Sequence, residues 1–183
     1  MLQEAIIEHG SPTLAGIKTG SLFRVACPFQ DIADEVRGLN GMLRKYGLRI
    51  IPVRKRKKTT LMYLYRPSRL KADLSCPEAK EILMEKGYSY TETQRCIAQL
   101  SRHLKEDAAF PHEVGLFLGY PPSDVKCFME SPFEGVRCIG CWKAYSNEDA
   151  ARATFEKYKK CTTFYRKEIG RGKPLEALIV NAG

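Results

Sequence analysis

Between Asp31 and Tyr46 the apolar residues Ile32, Val36, Leu39 and Leu43 recur every three or four positions, the spacing of a buried helical stripe, and Gly47 is placed to end that helix. "LRIIPV" and "TTLMYLY" are instead rich in strand formers and flank the basic run "RKRKK", which predicts a β-hairpin with a charged tip. The second of these strands is apolar on both faces and belongs in the middle of a sheet. "SLFRVA" predicts another strand, and residues 2–9 a short helix followed by a turn-rich "GSPTLAGIKTG".

Further along, helices are predicted over Pro77–Lys86 and Thr91–Lys105. The second would be capped by Thr91 or Ser89 and would bury Ile97, Leu100 and Leu104. "GVRCIGCWKAY" has the composition of a strand. "SNEDAARATFEKYKKCTTFYRKEIG" predicts a long helix with Ser146 and Asp149 as a capping box and Gly170 at its end. Strands, then a helical block, then strand and helix describe an α+β chain: a single domain over residues 1–183 with one mixed sheet and a central helical block.

Within that block, "HEVGLFLGYPPSDVKCFMES" (112–131) reads as two short helices joined by a tight turn, the outline of a DNA-binding helix-turn-helix. Its second helix would present Asp124, Lys126, Cys127 and Glu130 outward, however, a poor set for base edges and phosphates. A packed helical hairpin is therefore expected, with Val114, Phe117, Leu118, Val125 and Phe128 buried, Gly115 and Gly119 serving close approach and the turn, and Asp124 at the positive helix end.

The same residues carry a resemblance. "HEVGLFLGYPPSDVKCF", "GCWKAY", "FEKYKKCT" and "PTLAGIKTGSLF" together resemble the bacterial family of domain of unknown function 3793, over nearly the whole chain. Cys127, where that pattern carries glycine, and the "RKRKK" loop depart from it. The resemblance implies a small cytosolic bacterial protein of unassigned activity.

Charge sharpens the choice of partners. The chain carries +9 net, with +8 of it over residues 31–75 and −4 over 76–135, so the helix-turn-helix look-alike sits in the acidic stretch and the cationic excess at Arg54, Lys55, Arg56, Lys57 and Lys58. The amino-terminal "MLQEAIIEHG" lacks the basic start and apolar run of a secretory signal, and no apolar run has the length of a membrane span. Seven scattered cysteines suit a reducing compartment better than a disulfide framework. A cytoplasmic protein that does not enter membranes is expected.

Cys138 and Cys141 form a CxxC, the one motif here with redox or metal chemistry attached. In a straight strand their side chains point to opposite faces, and no second pair of ligands completes a tetrahedral site, so no metal is assigned and no easy disulfide is expected. Alternation groups Cys141 with Lys143 and Tyr145, a thiol beside an ammonium and a phenol. His112, Glu113 and Tyr120 stand near the ends of the helical hairpin, where an imidazole or carboxylate can rim a pocket. Lys18, in the glycine-flanked "AGIKTGS", can offer an ammonium beside exposed backbone amides.

These residues suggest a protein that binds a small anionic or cofactor-like molecule through Lys18, His112, Glu113, Tyr120, Lys143 and Tyr145, with enzymatic use of it left open. One alternative is a nucleic-acid or partner-binding module working through residues 54–58 and the basic final helix. The other is thiol or metal chemistry at Cys138 and Cys141. Oligomeric state and reaction class have no signature in the sequence.

Overall fold

The strand with six consecutive buried residues, β3 (Thr60–Tyr65), lies between β1 (Gly20–Val25) and β2 (Arg49–Lys55), as a strand apolar on both faces must. It is antiparallel to both neighbours. A mixed sheet was expected, and the α+β class stands with that correction. β1 and β2 are joined through helix α2 (Phe29–Leu43), the layout of a parallel crossover, but the tight β2–β3 hairpin inserts β3 into the slot between them.

The computed structural model describes residues 1–89, 92–106 and 110–181. Its backbone divides into two units, Met1–Arg69 with Lys160–Gly183, and Leu70–Lys159.

In the first unit, α1 (Leu2–Leu14) and α2 bury Ile6, Leu14, Ile32, Val36 and Leu43 with Phe23, Val25, Ile50, Met62 and Leu64 of the sheet. Gly47, left-handed at φ 68, ends the 3-10 turn Arg44–Tyr46 that follows α2. Helix α1 is longer than its sequence suggests, because it continues through Gly10, Ser11 and Pro12, residues that ordinarily break helices. Burial outweighs local preference here. A Cβ on Gly10 would stand 2.6 Å from Leu64 Cδ2, so the glycine permits the helix to press on β3.

The most buried charge in this unit escaped the sequence pattern. Arg66, 1% exposed, donates from Nε to the Thr13 carbonyl at 2.8 Å and from Nη2 to the Leu14 and Val180 carbonyls at 2.8 and 2.7 Å. Its Nη1 donates to the Tyr46 carbonyl at 3.1 Å. Two of these acceptors end α1, where the helix dipole favours a cation.

The second unit is mainly helical. It contains α4 (Pro77–Glu85), α5 (Thr93–Glu106), α6 (Val114–Phe117) and α7 (Pro122–Glu130), after α3 (Pro67–Leu74) crosses the boundary between units. The expected Thr91 cap of α5 lies outside the described residues, and the Ser89 N–H donates to Gln99 Oε1 at 3.1 Å. Ile97, Leu100 and Leu104 are buried as expected.

"GVRCIGCWKAY" is not one strand. It folds back on itself as a hairpin of β4 (Cys138–Ile139) and β5 (Lys143–Ala144), pairing Cys138 with Ala144 and Ile139 with Lys143. Strand alternation across the whole segment therefore fails at Gly140, where an added Cβ would meet the Phe155 ring at 2.2 Å. Helix α8 (Glu148–Gly170) follows, capped by Asn147, whose Oδ1 accepts the Ala150 N–H at 3.0 Å. Ser146, the expected cap, is engaged elsewhere. Among the described residues, no helix is long and apolar enough to cross a membrane.

Candidate functional site

The segment 112–131 is the packed helical hairpin that its charges implied. Val114, Phe117, Leu118 and Val125 are buried, while Phe128 is only half-buried. A Cβ on Gly115 would lie 2.8 Å from Val125 Cγ2, and Gly119 turns the chain at φ +78. Lys126 and Glu130 are exposed on an acidic stretch, with Lys126 reaching Glu81 of α4 at 4.0 Å. Phe128 falls short of full burial because it forms the wall of a cavity instead of the core.

That cavity, about 380 Å³, opens between the hairpin and the β4–β5 turn. Its apolar lining includes the rings of Phe110, His112, Tyr120, Phe128 and Trp142. Tyr120 stacks on Trp142 with centroids 4.9 Å apart, and His112 meets Phe128 edge-on at 4.9 Å. Trp142 is in turn held edge-on by Phe155 at 4.6 Å.

Asp124 fixes this wall. It is 2% exposed, and its Oδ2 accepts the Trp142 indole N–H at 2.8 Å. Its Oδ1 accepts the backbone N–H groups of Tyr145 and Ser146, each at 3.0 Å, and the Ser146 hydroxyl at 2.8 Å. Burial alone would raise the Asp124 pKa, but these donors outweigh it and hold the carboxyl below its ordinary value. From the first turn of α7 it thus clamps the 142–146 segment, a role beyond the helix-end charge expected of it.

The candidate residues divide accordingly. His112, Tyr120 and Lys143 line the cavity together. The Tyr120 hydroxyl donates to the Cys141 carbonyl at 3.0 Å, and burial first, then nearby Cys141 and Tyr158, pushes its pKa up. Lys143 Nζ donates to the Pro132 carbonyl at 2.8 Å and stands over the Phe133 ring at 4.5 Å. Tyr145 also donates to the Pro132 carbonyl, at 3.1 Å, and borders a separate hollow beside Cys127 and Arg137.

Glu113 is not on the rim. It is 4% exposed, and its Oε1 accepts the Tyr88 hydroxyl at 3.0 Å and contacts His103 Nδ1 at 3.1 Å, tying α6 to α5. His112 and Glu113 lie in the turn that leads into α6, which sends one to the cavity wall and the other to the core. Lys18 belongs to the first unit and is not among the cavity's lining residues.

Cys138 packs with Ala144 and Ala151, whereas Cys141 is exposed in the turn. Burial, and not strand alternation, separates these thiols. Iodoacetamide followed by mass spectrometry should alkylate Cys141 at least tenfold faster than Cys138 in the folded protein; equal rates would contradict the packing of Cys138. Among the described residues no three of His, Cys, Asp and Glu form a metal-ligating group.

Trp142, Phe110 and Phe128 had no place among the candidates. Their signal was present, since Trp142 is the sole tryptophan and sits in a glycine turn, but only the chain reversal at Gly140 carries it to Tyr120.

Neither the curated proteins nor the solved structures include a match to this sequence. The pattern of one family does match, from residue 6 to residue 179, and so takes in the cavity, its Asp124 clamp and the sheet alike. The chain belongs to the family described as "Protein of unknown function (DUF3793)".

Proposed function

We propose that the protein binds a small, planar, cofactor-like molecule in the cavity between the 112–131 hairpin and the β4–β5 turn. The observation that carries this is the convergence of five rings on one cavity of about 380 Å³, inside the size range of small-molecule sites. Stacked and edge-on rings favour a flat aromatic body. Lys143 and His112 at the wall favour an anionic or acceptor group on it, with Lys143 keeping its carbonyl partner.

Binding fits the geometry better than catalysis. Asp124 is saturated by four donors, and the Tyr120 hydroxyl and Lys143 ammonium each donate to a backbone carbonyl. No nucleophile and base are joined at the cavity among the described residues. A cytosolic setting accords with the odd, scattered set of seven cysteines.

The single tryptophan makes the test direct, because one indole N–H resonance reports on the cavity wall. Titrating ¹⁵N-labelled protein with naphthalene-2-carboxylate and with its neutral amide should shift the Trp142 resonance saturably, the acid binding more tightly. His112→Ala should weaken binding about two- to tenfold, the worth of one ring contact. An indole resonance unmoved by either compound at saturating concentration would refute a planar-ligand site.

A further inference from the structure

The β2–β3 hairpin places its cations by a device that periodicity hides. The register shifts between Pro52 and Arg54, so that Val53 is an extra residue in β2. Without that bulge, alternation would place Arg54 opposite Thr60, on the core face that carries Ile50 and Met62. With it, Val53 is buried and Arg54 stands opposite Leu61, whose other neighbour is Arg24 of β1. Arg24 and Arg54 therefore share one face of the sheet, in one row across three strands.

Beyond the row lies the hairpin tip, where Arg56, Lys57 and Lys58 are exposed and Lys55 rests on the Phe29 ring at 3.8 Å. Burial, then the charges of Arg56 and Arg24, lowers the Arg54 pKa, so these side chains are close enough to repel. No salt bridge compensates Arg24, Arg56, Lys57 or Lys58 among the described residues. Several cations elsewhere are paired, among them Arg152 with Glu148, Arg166 with Glu8, and both Arg171 and Lys173 with Glu168.

We infer that the β2–β3 hairpin, with Arg24 beside it, docks on the phosphodiester backbone of a nucleic acid. Alternate positions on a strand are about 7 Å apart, close to two steps of the roughly 3.4 Å rise per phosphate of a strand, so an extended ribbon can keep step with a phosphate track. A membrane-inserting tip would carry apolar or aromatic residues, and "RKRKKT" from Arg54 to Thr59 has none; purely electrostatic capture by anionic lipid is what the vesicle arm measures. Because the contacts are to phosphate, binding is weakly selective for sequence. It is independent of the aromatic cavity.

Fluorescence anisotropy with the full chain and a labelled RNA oligonucleotide or DNA duplex tests this, with anionic phosphatidylserine vesicles as a third arm. Four phosphate contacts predict a loss of affinity between about 50 and 200 mM salt of roughly 50-fold for the single strand and roughly 150-fold for the duplex. The triple variant Arg24→Ala, Arg56→Ala, Lys57→Ala should bind at least tenfold more weakly at low salt, with the duplex salt slope reduced by about three. Its circular dichroism and its Trp142 response to naphthalene-2-carboxylate should stay unchanged. Failure of both nucleic acids to bind at about 50 mM salt, an unaltered salt slope in the variant, or tighter capture by vesicles would each overturn the assignment.

Discussion

Replacing Arg66 with methionine should destabilise the protein by about 3–5 kcal/mol, through the loss of several charge-assisted hydrogen bonds to buried and half-buried carbonyls at once. The methionine fills most of the volume, so the loss isolates the guanidinium. Four backbone carbonyls would lose the Arg66 donor, itself only 1% exposed: those of Tyr46 and Val180, and those of Thr13 and Leu14, which keep a second bond from the Gly16 and Val180 N–H groups. Arg66→Lys should recover less than half of the loss, since an ammonium has three donors on one atom and cannot span acceptors served by Nε, Nη1 and Nη2. Urea unfolding followed by circular dichroism measures both, and a methionine variant within 1 kcal/mol of wild type would show that the carbonyls find water instead.

Asp124→Ala should cost a similar amount, about 3–5 kcal/mol, by stranding four donors at once. Its effect should also be visible at the cavity. With the indole N–H released, Trp142 loses its place against Tyr120, and the sole tryptophan's emission should shift to longer wavelength before global unfolding. Asp124→Asn keeps the shape but turns an amide donor toward a donor, either at the indole or at the Tyr145 and Ser146 amides, and should cost about 1–3 kcal/mol.

The pH dependence follows from the same contacts. A carboxyl held below its ordinary value in the folded state stabilises fully above its unfolded pKa, about 3.9, and loses that contribution as pH falls through the folded value. The wild type should therefore lose more stability than Asp124→Asn as pH drops below about 4. Parallel stability curves for the two proteins in acid would mean that Asp124 is not the depressed group.

Most elements were legible because their pattern and their burial agree. The stripe Ile32, Val36, Leu39, Leu43 is a local period, and Gly47 supplies the left-handed stop that ends its helix and turn. The doubly apolar "TLMYLY" announced a central strand for the same reason. Charge was equally informative at the 112–131 hairpin, whose second helix offers no basic face and so argued for packing; Glu130 is exposed as expected, whereas Asp124, expected outward, is buried as the clamp.

The cavity was legible only in part. His112, Tyr120 and Lys143 were candidates by residue type, but joining them requires the reversal at Gly140, and "GVRCIGCWKAY" has the composition of an uninterrupted strand. Glu113 had the right chemistry and the wrong direction, because the turn into α6 sends it to the core and His112 to the cavity wall.

What the sequence determined by itself is therefore the local part: which segments coil or extend, the α+β class, and where the charge accumulates. Tertiary structure alone decided the continuation of α1 through Pro12, the insertion of β3 between β1 and β2, the bulge that brings Arg54 beside Arg24, and the capture of Arg66 and Asp124 by distant backbone groups. Each of these depends on a partner many residues away: burial against β3, pairing across the sheet, or donors and acceptors from remote turns. A periodicity of two or 3.6 residues records which way a side chain points, and carries no record of what will be there to meet it.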